Sequence, residues 1–330
     1  MSFYEEKAAW AREMCGTSLE DWENGNTTAD LVVMESALYA LHRKIEFAYQ
    51  TRRALSHYTD INAFLSMISK NSIRFYDVKY MNDFTEKQHA LEIVKSQIQK
   101  YNQKIKFGKL GSKIPQVLLK AIENEEDAFT TLSFCLSQAQ DNVSQWNAYS
   151  SENGIEILFS AKQLFNFQRE SRYRNAVADI IYSDSEKKRL TDAVITQIVW
   201  VIIHILNKTN GDRKHVGYAV TGAIRSIKYL MLRFKDNSFL DERETRYILE
   251  CTKNNPNLKY ECRGGYVRSY LELSKENADG SPKKLPINSV RIAPGRNAED
   301  RKHSIEDALR RHGYNRPSVK ISSVPLRHFG

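Results

Sequence analysis

Apolar residues recur at helical spacing in the long segments of this chain and run together or alternate in the short ones. Leu31, Met34, Leu38, Leu41 and Ile45 fall three or four apart behind Thr27 or Thr28, predicting a capped helix in residues 1–54, an N-terminal helical extension. Leu55–Thr59 reads as a short strand, Asp60 as an N-cap, and Ile61, Phe64, Leu65 and Ile68 as one helix face stopped by a left-handed Asn71. Ser72–Val78 predicts a second strand, followed by helices over Thr85–Tyr101 and Ile114–Glu123 and a buried strand over Phe129–Ser137. Gln140–Ser150 reads as helix or turn, and Gly154–Phe159 and Ala176–Tyr182 as strands. Two long helices follow, about Ser185–Asn207 and Lys214–Lys235, joined by the turn signal TNGD. Strands over Glu242–Cys251, Gly265–Leu273 and Ile287–Ile292, a helix over 298–312 and a strand over Val319–Ser323 complete the pattern. Strands interspersed with helices, with few regular βαβ units, predict an α+β fold. The expected organisation is the extension 1–54 and one domain, 55–330, with a helical insertion at about 185–235.

Composition narrows the classes. Cys15, Cys135, Cys251 and Cys262 are widely spaced with no CxxC pair, which argues against a zinc site or a disulfide framework and points to a reducing, cytoplasmic setting. The N-terminus lacks the basic and apolar regions of a signal peptide. The most apolar run, Ala193–Leu206, contains Gln197 and His204 and is shorter than the roughly 20 residues a membrane span needs. A buried helix, and no membrane association, is the expectation. Net charge is +9, and residues 283–330 hold eleven Lys or Arg against four acidic residues. Such a lobe suits a polyanion, nucleic acid or a dinucleotide pyrophosphate, although a solvated face gives the same count. Glu299 and Asp300 at the start of the 298–312 helix, with Arg310 and Arg311 at its end, match the helix dipole and account for part of it.

Seven short motifs carry the candidate chemistry, in this order: LSHYTD (55–60), YMNDFTE (80–86), SFCLS (133–137), QWNAY (145–149), FLDERETR (239–246), VRIAPG (290–295) and SSVPLR (322–327). Over roughly residues 55–327 this succession resembles a large bacterial family of unknown-function domains, the DUF2971 type, often encoded near phage-defence and toxin genes. That family in turn resembles ADP-ribosyltransferases, particularly toxins that modify nucleic acid. The chain departs from the pattern at Thr245, Ala293 and Leu326 without losing a polar group. The resemblance implies a split-sheet core of the ADP-ribosyltransferase kind and NAD as substrate.

It also implies roles. His57 and Thr59, two apart on a strand with Tyr58 between them, would hold the adenosine ribose and the nicotinamide amide. A core histidine beside a helix cap is the plainer account. Glu244 would stabilise positive charge developing on the ribose as the nicotinamide bond breaks, Glu242 would orient or deprotonate the acceptor, and Arg246 would fix Glu244 or touch phosphate. The alternative is a charged strand with cross-strand pairs. Asn82 and Asp83, with Glu86, would bind ribose hydroxyls or form a capping box. Ser137 would support the NAD site, Trp146 or Tyr149 would stack on nicotinamide or pack in the core, and Arg74 and Arg263, then Arg327, would meet phosphate or ribose.

No P-loop, GxGxxG, HExxH or GxSxG is present. The leading expectation is an NAD-dependent ADP-ribosyltransferase, a toxin or phage-defence effector whose acceptor is RNA or DNA rather than protein. Its rivals are a binding or sensor module that has lost catalysis and an NAD glycohydrolase. Residues 1–54 offer a surface for a neutralising or triggering protein partner.

Overall fold

A computed structural model describes residues 54–80, 84–104, 114–123, 129–149, 153–169, 174–263 and 265–325. The expected extension up to residue 53, together with Asn82, Asp83 and Arg327, lies outside the described residues.

The fold is α+β, and the described residues fall into two units. One is helical. Helices α2 (Phe84–Lys104), α3 (Ile114–Glu123), α6 (Asp184–Lys208) and α7 (Arg213–Met231) pack through Val94, Ile98, Leu118, Val194, Ile198, Ala223 and Ile227. Helix α6 is the one described helix long and apolar enough to cross a membrane. Here it forms the centre of the helical core, and its buried Lys187 meets Asp184 at 2.8 Å. Asp212 caps α7 by accepting from the His215 amide at 3.1 Å, which explains the helix start after the TNGD turn.

The second unit is a mostly antiparallel sheet. Its strands are β1 (Ala54–Asp60), β2 (Ser72–Asp77), β3 (Phe129–Ser137), β4 (Gly154–Ser160), β5 (Arg174–Asp179), β6 (Glu244–Thr252), β7 (Leu258–Arg263), β8 (Tyr266–Ser274), β9 (Ile287–Ile292) and β10 (Ser318–Ile321). The order is β10-β9-β4-β1-β3-β2-β8-β7, with β6 also on β3 and β5 on β6. Strand β3 organises the unit. One of its edges pairs with β6 over all nine residues, from Phe129–Thr252 to Ser137–Glu244. Its other edge is shared: β1 meets it at Ser56–Ser137, and β2 joins it at Tyr76–Ser133.

The pleat sends alternate side chains to opposite faces, and the registers extend that division across strands. Leu55, Phe75, Leu132, Phe134, Ile157, Phe159, Tyr247, Leu249, Leu271 and Val290 share one apolar face. Helices α1 (Ile61–Lys70), α5 (Ala161–Arg169) and α8 (Ala298–Arg311) cover it with Phe64, Ile68, Leu164, Phe167, Ile305 and Leu309. Each such side chain contributes about 1.5–3 kcal/mol on burial, so this layer supplies most of the unit's stability.

Strand β5 ends at Asp179 rather than Tyr182 and helix α7 at Met231 rather than Lys235, and three further differences from the pattern-based expectation have a local physical reason. Glu242 does not begin β6. It ends a 3-10 turn, Asn237–Glu242, and Arg243 at φ 43° breaks the chain direction before Glu244. Strand β7 was not legible because it is an edge strand with Lys259 and Glu261 on one side and exposed Tyr260 and Cys262 on the other. Helix α5 is short and offers only Ala161, Leu164 and Phe167 as its buried stripe.

Asp60 ends β1 and caps α1, accepting from the Ala63 amide at 2.9 Å, and Asn71 stops the helix at φ 50° as expected. Asp60→Ala should lower stability by about 1 kcal/mol in a denaturant titration without changing the transition's cooperativity.

Candidate functional site

The face opposite the apolar layer carries the chemistry-bearing side chains. Register places Arg291, Glu156 and Tyr58 side by side on β9, β4 and β1, and Ser56, Ser137 and Glu244 side by side on β1, β3 and β6. Cys135 and Arg246 form the next pair on that face.

Glu156 is the hub at one end. Its carboxylate, 1% exposed, accepts from Ser56 Oγ at 2.6 Å and the Asp141 amide at 3.2 Å, and it is paired with Arg291. The Tyr58 hydroxyl lies 3.2 Å from Glu156 and 3.0 Å from the Ala139 carbonyl, and it accepts from the Asn142 amide at 3.2 Å. Burial and the Glu156 charge push the Tyr58 phenol far above its ordinary range, so it stays protonated. Next to it Asp141, at φ 49°, accepts from Trp146 Nε1 at 3.0 Å, Ser322 Oγ at 2.5 Å and the Ser323 amide at 2.9 Å. Burial opposes ionisation of Asp141, but these bonds outweigh it and hold the carboxyl below its usual value. Trp146 lies on the short helix α4 (Val143–Tyr149), started by Asn142 accepting from the Gln145 amide at 3.2 Å. Its ring meets Tyr58 edge-on at 5.0 Å, so it packs rather than faces a ligand.

At the other end Arg246 holds Glu244 with two bonds, Nε to Oε1 at 2.7 Å and Nη2 to Oε2 at 3.2 Å, the pair being 2% and 5% exposed. Such a fork fixes the carboxylate's orientation as well as its charge. Cys135 sits beside it, and burial together with the Glu244 charge pushes that thiol well up, leaving it a poor nucleophile. Ser137 bonds the Glu242 carbonyl at 2.6 Å and accepts from the Ala139 amide at 3.0 Å, locking the turn that precedes Glu244.

The remaining expected residues lie elsewhere. His57 and Thr59 point to the apolar face, away from Glu244. The His57 ring rests 4.3 Å from Phe134, and its Nδ1 lies 2.9 Å from the Cys135 carbonyl, where β1 leaves β3. That geometry makes Nδ1–H the donor and gives His57 a sealing role at the split. Arg74 bonds Glu261 at 2.8 Å and lies 3.9 Å from Glu272 and 4.8 Å from the Tyr270 ring, within a network that also contains Lys259. Arg263 ends β7 opposite Tyr266, and Tyr149 ends α4, but their side chains lie outside the described residues.

Glu156, Asp141, Arg291 and Ser322 were not singled out for this cluster. A lone acid in the otherwise apolar GIEILF strand was the available signal for Glu156, since a buried carboxylate must have partners. Nothing local ties Asp141 to Ser322, which is 181 residues away.

A family model described as protein of unknown function (DUF2971) matches residues 145–247. The match runs from the first residue of QWNAY to the residue after Arg246, so it contains residues 145–149 of α4, Glu244 and Arg246 and leaves the HYT and SxP motifs outside. No curated protein matches the chain, and no solved structure does.

Arg291→Ala leaves Glu156 buried without its guanidinium and should cost about 3 kcal/mol by chemical denaturation. Asp141 should contribute a stabilising effect present above about pH 4, its unfolded value, and lost as pH falls through its lower folded value. Asp141→Asn should therefore reduce stability at neutral pH and flatten the acid limb of a stability–pH curve.

Proposed function

We propose that the chain is an NAD-consuming ADP-ribosyltransferase in which Glu244 is the catalytic carboxylate, a reading that rests on the motif resemblance over residues 55–327. The observation that supports this reading most is the Glu244–Arg246 fork, a carboxylate held in one orientation on a buried polar face next to the Ser133–Ser137 strand. Cleavage of the nicotinamide–ribose bond places positive charge on the ribose, and an oriented carboxylate bonded to a ribose hydroxyl stabilises that charge more than it stabilises the bound substrate. Arg246 keeps the Glu244 carboxylate aimed. Glu242, on the turn that Ser137 anchors, is the group nearest in sequence to orient an acceptor.

The residues fit the substrate only in part. Glu244 and Arg246 suit the ribose end, whereas Tyr58 and Arg74 are engaged with Glu156 and Glu261, and His57 and Thr59 face the apolar layer. We assign the chemistry to Glu244 and the effector role, toxin or phage defence with a nucleic-acid acceptor, to the family's setting and the basic C-terminal residues.

A second reading rests on a specific feature: both Glu244 oxygens are bound by Arg246, and the side chain is 6% exposed. A polar face so fully satisfied also suits a binding module without catalysis. The two readings separate when adenylate-labelled NAD is incubated with the protein and a cell lysate. The transferase reading predicts label on RNA or DNA, lost at least 100-fold in Glu244→Ala, a variant that should remain folded by circular dichroism. Nicotinamide release without labelled macromolecule indicates hydrolysis. Neither product, with the lysate of a challenged cell as well, leaves the binding module.

A further inference from the structure

We propose that a cavity at the C-terminal edge of the sheet binds a nucleotide unit through its phosphate and base, separately from Glu244. The cavity has a volume of about 570 Å³, within the range of small-molecule sites, and lies between α5, the segment before β9 and the loop between α8 and β10. Its walls draw on Phe167, Leu285, Ile287 and Tyr314, members of the apolar-face core, so it opens on the opposite side of the sheet from Glu244.

The basic excess of residues 283–330 is divided among several settings. Arg291 is taken by Glu156, Arg301 bonds the Ala293 carbonyl at 2.8 Å, and Lys302, Arg310 and Arg311 pair with Glu299 or Asp307 on α8. Lys283, Lys284 and Arg316 line the cavity, and none of the described residues lining it is acidic. That charge selects an anion.

The rest of the lining selects which anion. Phe167 and Tyr314, both buried, close the floor with apolar surface, and Gln163, Asn166 and Asn315 provide amides that both donate and accept, as a base edge requires. The floor is preformed. The Tyr314 hydroxyl donates to Asn71 at 2.9 Å and accepts from the Leu285 amide at 3.1 Å. Lys284 lies 5.1 Å over the Tyr314 ring and donates to the His312 carbonyl at 2.5 Å. Gly313, at φ 75°, permits this approach: a Cβ there would stand 3.3 Å from the Lys284 amine. A cationic rim over a rigid apolar floor with amide edges is the chemistry of a nucleotide, whether free or within a single strand.

The test uses the full chain without NAD, a fluorescein-labelled ten-nucleotide single-stranded RNA, and AMP as competitor. The RNA should bind with an affinity that falls with salt at a log–log slope of about −2, the value for three phosphate contacts on a single strand. The charge-reversed pair Lys283→Glu and Arg316→Glu should weaken binding at least tenfold while keeping the wild-type melting temperature. Displacement by AMP assigns the cavity to a single nucleotide; resistance to AMP with loss of binding in the charge-reversed protein assigns it to the strand. Absence of RNA and AMP binding at low salt, unchanged affinity in the charge-reversed protein, or equal binding of polyglutamate would each overturn the proposal. Failure here would leave the Glu244 assay untouched, since the two sites lie on different faces.

Discussion

Strand β3 imposes the constraint on which the sheet unit depends. Its nine-residue ladder with β6 fixes Ser137 against Glu244, while its other edge is divided between β1 and β2. Where β1 departs, the His57 imidazole supplies a donor to the Cys135 carbonyl and lays its ring on Phe134. A backbone carbonyl that loses its donor at a half-buried split carries a desolvation cost of about 1–3 kcal/mol. Moving this register by one residue would exchange the apolar and polar faces throughout. The fold and the candidate chemistry are therefore set by the same pairing.

The two faces solve different problems. The apolar face stabilises by burial under α1, α5 and α8. The polar face is also largely buried, and it tolerates that only because Glu156, Asp141 and Glu244 each have defined partners. Several motif residues serve this purpose. Tyr58, Trp146, Ser322 and Ser323 join separate parts of the chain to two carboxylates, so their side chains specify a single arrangement of β1, β4, α4 and the segment after β10.

Much of this was legible in the residues. Asp60 and Asn71 announce both ends of α1 by their capping chemistry, and β3 is bounded correctly by its apolar run. Face assignments across strands were not legible, because they depend on register between distant segments. His57 and Glu244 look like partners in one dimension; two pairings, Ser56–Ser137 and Ser137–Glu244, together with the alternation from Ser56 to His57, place them on opposite sides. Glu242 was misplaced for a local reason, the left-handed Arg243, which no glycine or asparagine announced. The Asp141–Ser322 link had no local trace at all.

The central claim is that chemistry resides with Glu244 on the polar face while His57 maintains the split in the sheet. Nicotinamide release at saturating NAD, expressed per folded molecule, tests it most directly when His57→Ala and Glu244→Gln are compared beside their melting temperatures. A destabilised His57→Ala protein should keep turnover within a few-fold, and a Glu244→Gln protein, also destabilised because Arg246 loses its buried carboxylate partner, should lose turnover per folded molecule at least 100-fold. Loss of turnover in a His57→Ala protein of native stability, with turnover retained in Glu244→Gln, would contradict it.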